Sequence, residues 1–189
     1  MENALIVSSS DKSVAFFTEM LNANSCAAVT VLKTGSEARS ILSEREFDIV
    51  IIYVPLPDES GESLSRYVAL KETSQVILVV KSEYFDEMCA VTEDAGVLVV
   101  ARPVDRTIFR SSLRLAKSTL GKLKKLRSEN CELKQKIEDI KIIDRAKYIL
   151  ISYLKMSEQE AHRFIEKQAM DMRATRRSVA EGVLRTYES

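Results

Sequence analysis

Ile49-Val50-Ile51-Ile52-Tyr53-Val54 is a run of apolar, mostly β-branched residues, ended by Pro55-Leu56-Pro57-Asp58 and Gly61. A strand with one face in water alternates polar and apolar side chains. A run apolar throughout belongs to a strand covered on both faces, as in a parallel sheet between two layers of helices. Reading outward, residues 4–7 and 27–32 before it and 75–80 and 97–101 after it are further short apolar runs. Helical spacing fills the gaps: Val14, Phe17 and Leu21 after the first run, Ile41 and Leu42 behind Thr34-Gly35-Ser36, and residues 64–70 behind Gly61. Five strand–helix alternations in about 110 residues predict an α/β domain with a five-stranded parallel sheet of flavodoxin-like winding, whose ligand crevice lies at the strand C-termini.

The 189 residues suit one medium domain and one small one, and 46% hydrophobic content is enough for a proper core. Cys26, Cys89 and Cys131 are widely spaced, and there is one histidine, His162, so neither a disulfide framework nor a zinc site is expected. Neither a Gly-rich phosphate loop nor a nucleophile–base pair is found, so no catalysis and no cofactor are expected, and His162 is assigned a surface or interface role. The N-terminus lacks the basic and apolar regions of a signal peptide, and no apolar run approaches the length of a membrane span, so a cytoplasmic location is expected. The net charge of zero hides an asymmetry. Residues 1–111 carry 10 basic and 17 acidic side chains, whereas residues 112–189 carry 18 basic and 11 acidic ones. A basic second half suggests a polyanionic partner, the other reading being a solvated lysine-rich helix.

The first 115 residues resemble the receiver domains of response regulators, through the alternation, Leu56-Pro57-Asp58 with Gly61 after strand three, and Arg102-Pro103 after strand five. The resemblance implies a phosphorylation site whose residues are replaced here. Ser8 and Ser9 stand where two acids would hold Mg²⁺, Tyr53 where the phosphoacceptor Asp would stand, Val80 (or Ser82, with a shifted register) at the switch hydroxyl, and Arg102 in place of Lys. A phenol with an ordinary pKa near 10 replaces neither a carboxylate nucleophile nor a metal ligand. Asp11 is expected to start the first helix and Asp58 to sit in a turn. The domain reads as a pseudo-receiver, controlled by a regulatory protein, a ligand or RNA availability instead of phosphorylation.

From Asp105 onward there is no proline, and Leu123, Leu126, Asn130, Leu133, Ile137 and Ile140 recur at alternating spacings of three and four. This heptad seam predicts a coiled-coil helix over 112–143, extended weakly backward by Ala116 and Thr119. The lone Asn at an a position favours a parallel homodimer. The alternative is a stripe that folds back on the chain's own domains. After it, Ile142, Ala146, Ile149, Leu150 and Tyr153 mark the apolar face of a helix running through Lys155. Ser157 and Glu160 form a capping box ahead of Ala161, Phe164, Ile165, Ala169 and Met172, and Thr175 caps a helix with Val179, Val183, Leu184 and Tyr187 inside.

These residues resemble the ANTAR domain of antitermination regulators. The resemblance rests on Ile143-Asp144-Arg145-Ala146-Lys147, Met156-Ser157-Glu158-Gln159-Glu160-Ala161, Gln168-Ala169-Met170-Asp171 and Ser178-Val179-Ala180-Glu181. It implies a small all-α three-helix domain over 140–189. It also implies RNA binding, with a dimer taking tandem stem-loops in a nascent leader and preventing a terminator from forming. Candidate RNA-binding residues are Lys141, Arg145, Lys147, Tyr148 and Lys155 on the first helix, Arg163 and Lys167 on the second, and Arg173, Arg176 and Arg177 near the third. Ala146, Ala169 and Met170 are read as packing residues. Tyr148 departs from the family, which usually has Gly there. It either stacks on an unpaired base or is a solvated tyrosine. A DNA-binding regulator and a protein-interaction adaptor are the competing functions.

Overall fold

The computed structural model describes residues 3–71 and 73–187 and divides into two compact units, Met1–Lys124 and Lys125–Ser189. In the first, β1 (Asn3–Val7), β2 (Ala28–Leu32), β3 (Ile49–Tyr53), β4 (Gln75–Lys81) and β5 (Leu98–Arg102) form one parallel sheet in the order β2-β1-β3-β4-β5. Val7 pairs with Ile52, Tyr53 with Val79, and Lys81 with Arg102.

Alternation along β3 sends its side chains into two separate cores. Val50 and Ile52 pack with Ala38 and Leu42 of α2 (Gly35–Glu44), Leu64 and Val68 of α3 (Gly61–Leu70) and the partly buried Met88 of α4 (Phe85–Thr92). Ile49 and Ile51 pack with Phe17 and Leu21 of α1 (Asp11–Ala23) and with Phe109, Leu113 and Ala116 of α5 (Arg106–Leu154). Both faces are therefore covered, which is why the run at 49–54 has no polar side. At Gly61 an added Cβ would lie 2.0 Å from Val54 Cγ1 and 3.1 Å from Leu78 Cδ1. Gly61→Ala is therefore expected to overpack this core and cost about 1–3 kcal/mol, read as a lower urea midpoint at unchanged slope.

Helix α5 spans 49 residues and starts where the Asp105 carboxylate accepts the N–H groups of Thr107 (2.7 Å) and Ile108 (3.2 Å). Gly121 sits inside it without a break. Its first turns belong to the first unit. Phe109, Leu113, Ala116 and Leu120 are buried, and the Phe17 and Phe109 rings lie 4.9 Å apart. This corrects the reading of Ala116 as a backward extension of the dimer seam: Ala116 is fully buried in its own domain. The segment 112–143 expected as coiled coil thus begins inside this unit.

The second unit packs the end of α5 against α6 (Glu158–Asp171) and α7 (Arg176–Tyr187). Ala146, Ala161 and Ala180 are fully buried at its centre, where small side chains let three helices approach closely, and Ile149, Leu150, Ile165 and Val183 surround them. The capping box at Ser157–Glu160 is present, and Thr175 accepts the Ser178 N–H at 3.1 Å. Three expectations are corrected. Met172 is 67% exposed because α6 ends one residue earlier and the chain turns through Arg173 at φ +49°. Tyr153 is mostly exposed, its ring set 5.7 Å from that of Tyr187. Lys155 lies past the end of α5 with φ +57°, in a left-handed turn and off the helical stripe.

Candidate nucleic-acid interface

On α5, Lys141, Arg145, Tyr148 and Ser152 recur at spacings of three and four, on the side away from the buried Ala146 and Leu150. Tyr148 is 71% exposed, so its ring presents a free π-face. Lys141 lies 3.7 Å from Glu138 in a solvent-exposed pair. On α6, Arg163 and Lys167 are exposed on the side away from Ala161 and Ile165. Met170, expected to pack, continues that outer stripe and is 78% exposed. Four-residue spacing from Ala161 to Ala169 fills the buried side, and one further residue rotates Met170 across the helix. It is a functional candidate that sequence reasoning missed, its only signal being its place one turn beyond Lys167.

Two of the ten candidates are clamps within the domain. Lys147 reaches Asp144 at 2.8 Å and Glu158 at 3.5 Å with its side chain largely covered, tying α5 to the first turn of α6. The hydrogen bond to Asp144 holds its pKa above the ordinary lysine value. Arg177 bridges α7 to α5, with Nη1 2.7 Å from Asp139 and Nε 2.8 Å from Glu181. Arg177 in turn holds the Asp139 carboxyl below its usual range. Arg176 lies 3.2 Å from Glu166, which also takes His162 at 3.3 Å. Arg173 stays exposed at the α6–α7 turn. The ten residues thus form an α5 stripe, an α6 stripe and a turn cluster, with Lys155 apart and Lys147 and Arg177 turned to internal duty.

The first unit's crevice, at the C-terminal edge of its sheet, carries different chemistry. Arg102 reaches across the end of β4, its Nη1 donating to the Tyr53 hydroxyl at 2.9 Å and its guanidinium 4.8 Å from the Tyr53 ring centre. Ser8 is fully buried, its hydroxyl 2.6 Å from that of Ser13. Asp11 is the first residue of α1 and points into solvent 3.8 Å from Lys33. Asp58 reaches back to α2, accepting the Gly35 N–H, the Ser36 N–H and the Ser36 hydroxyl, each at 2.8 Å. These residues do not fit the Mg²⁺ that a receiver would hold, since no cluster of carboxylates converges there. Among the described residues, no group of three or more His, Cys, Asp or Glu is placed to bind a metal.

The donated hydrogen bonds pull the Asp58 carboxyl from 3.8 down to about 2. A carboxyl that titrates lower when folded stabilises fully above its unfolded value near 3.8, and that contribution fades as pH falls toward about 2. The expected outcome for Asp58→Ala is a lower thermal midpoint at neutral pH and a shallower fall across that acid window than in the unmodified protein.

Residues 132–184 match the family model described as the ANTAR domain. The chain is 28% identical over 169 residues to the transcriptional regulatory protein PdtaR of Mycobacterium tuberculosis, with 89% of this chain and 82% of that protein covered. In structure it is similar to the signal receiver domain of an HD domain-containing protein from Pseudomonas fluorescens Pf-5 (TM-score 0.57, 20% identity, 67% of this chain and 92% of that one). It is also similar to a response regulator receiver domain protein from Clostridium thermocellum (TM-score 0.57, 16% identity, 67% and 99%). The chain carries an ANTAR domain at residues 132–184 and an N-terminal domain of the receiver fold. Its ANTAR match takes in the last turns of α5 together with α6 and most of α7. Tyr53 and Arg102, joined by their hydrogen bond, lie at the C-terminal ends of β3 and β5 in the receiver fold. Among the described residues, no helix is long and apolar enough to cross a membrane.

Proposed function

We propose that this protein is a transcription antitermination regulator that binds RNA as a homodimer, and that its receiver-fold domain works without phosphorylation. The reading is carried by one observation: an ANTAR domain that exposes Arg145 and Tyr148 on α5 and Arg163, Lys167 and Met170 on α6. Cationic side chains hold phosphates and fix register, while an exposed aromatic ring and an apolar side chain contact unstacked bases, which stem-loops offer and duplex DNA does not. Base–aromatic stacking contributes roughly 1–3 kcal/mol, enough to favour a loop over a helix. The mechanism needs no covalent step. Two domains grip two tandem hairpins, the folded leader is stabilised, and the competing terminator loses its strands.

Dimerisation is supported by Leu126, Leu133, Ile137 and Ile140, which are 54–61% exposed at heptad spacing, with Leu123 36% exposed. Such a row is costly in water, and a second copy of the same helix covers it, with Asn130 setting the register. The receiver-fold domain then acts through a regulatory protein or ligand.

The experiment is anisotropy of labelled leader RNA against duplex DNA of the same sequence across a salt series. Tighter binding to the tandem hairpins, with affinity falling steeply as salt rises, is expected. Equal affinity for duplex DNA would favour a DNA-binding regulator, and no salt-dependent binding at all an adaptor.

A further inference from the structure

The exposed stripe that begins at Lys141 on α5 continues backward along the helix in seven-residue steps. Lys134 and Arg127 lie two and four turns before Lys141, on the same side, and both are exposed. From Arg127 to Arg145 the row runs about 27 Å. Glu132, Glu138 and Asp139 fall at b and c positions, turned away from the seam, and Asp139 is held there by Arg177. In a parallel pair of these helices Arg127, Lys134 and Lys141 take e positions, each facing the g residue five places earlier in the second copy. Lys122 then meets Arg127, Glu129 meets Lys134, and Lys136 meets Lys141. Two of these three contacts join like charges, whereas a coiled coil stabilised by its own flanks places opposite charges at e and g. The nearest carboxylates are engaged along their own helix, Glu129 at 3.8 Å from Lys125 and Glu138 at 3.7 Å from Lys141.

We propose that each flank of the coiled coil binds the phosphate backbone of an RNA stem, while the ANTAR domain holds the loop of the same hairpin. The inference rests on the dimeric, RNA-binding reading above and assigns the part of the hairpin that the domain itself leaves uncovered. A flank carries five cations and one carboxylate, and a two-fold pair has two such flanks, one for each hairpin. The row joins the domain's own stripe without a break, since Lys141 belongs to both. Lys and Arg in a line contact phosphates without reading bases, which suits a paired stem whose deep groove is closed to side chains. A polyanion laid along the flank also offsets the repulsion between the two helices.

The test combines Arg127→Gln, Lys134→Gln and Lys136→Gln in the full-length protein, since glutamine keeps helix propensity and removes the charge. Anisotropy is measured across a salt series on a two-hairpin RNA with long stems and on the same loops with stems cut to a few base pairs. On long stems the variant should bind at least about tenfold more weakly, with the slope of log affinity against log salt lower by about 2–3. On cut stems it should bind as the unmodified protein does. Without RNA, sedimentation should show a dimer at least as tight as the unmodified one, because like charges have been removed. A weaker dimer would assign the row to pairing and overturn the proposal. An unchanged salt slope on long stems, with the unmodified protein still binding them, overturns this surface alone. Failure of the unmodified protein to bind either RNA overturns the RNA-binding reading and this surface with it. Poly-glutamate of matched length competing as well as the stem would reassign the row to an acidic protein and likewise overturn it.

Discussion

Leu133→Asp is expected to convert the protein from dimer to monomer at micromolar concentration and to lower its affinity for a two-hairpin RNA by about a hundredfold. Leu133 is 58% exposed at the centre of the seam. In a paired coiled coil the residue and its mate are both desolvated, and two facing carboxylates there add repulsion to the lost apolar burial. The RNA effect is indirect. The second half-site on a tethered dimer binds intramolecularly, a gain on the order of 10²–10⁴ that vanishes when the halves separate. Affinity for a single hairpin should change little. Sedimentation velocity and anisotropy on the same samples check both halves. A variant that stays dimeric assigns the exposed row to another role.

Removing Arg163 and Lys167 together should lower RNA affinity by about tenfold or more at moderate salt and reduce the slope of log affinity against log salt by up to about 2, because each phosphate contact releases counterions. Both side chains are exposed on α6 and lie outside the buried core, so the helix content and thermal midpoint should hold. Lys147→Ala and Arg177→Ala are expected to do the reverse. They break the links to Glu158 and Asp139 that join helices, so they lower the midpoint with little change in salt slope. An unchanged salt slope in the α6 pair would remove that stripe from the interface. Measuring these three variants in parallel separates contact from scaffold.

Much of the fold was legible because its signals are local. The run at 49–54 has no polar side, and a parallel sheet with helices on both faces is the structure that accommodates it. The capping box at Ser157 needs four consecutive residues and was equally readable. What escaped depends on partners distant in sequence. Ala116 has the spacing of a dimer seam and of an inward helix face alike, and its assignment turned on Phe17 and Leu21 lying beneath it. Asp58 reads as a turn residue, yet its carboxylate caps a helix that begins 23 residues earlier. Lys147 and Arg177 look like any other surface cations until Glu158 and Asp139 are folded against them. Met170 was misplaced because the family's motif marks a position without marking its face. The bond between Arg102 and Tyr53 joins residues 49 apart across an intervening strand, beyond any pattern in the chain.

The proposed function requires that a pair of these basic domains recognise a pair of hairpins. The direct measurement compares the unmodified protein's affinity for a leader fragment with two tandem stem-loops and for the same fragment with one loop deleted. A loss of about a hundredfold or more on deleting one loop, with two RNA-bound domains per dimer by mass, is the predicted result. Equal affinity for the one-loop and two-loop fragments would contradict it.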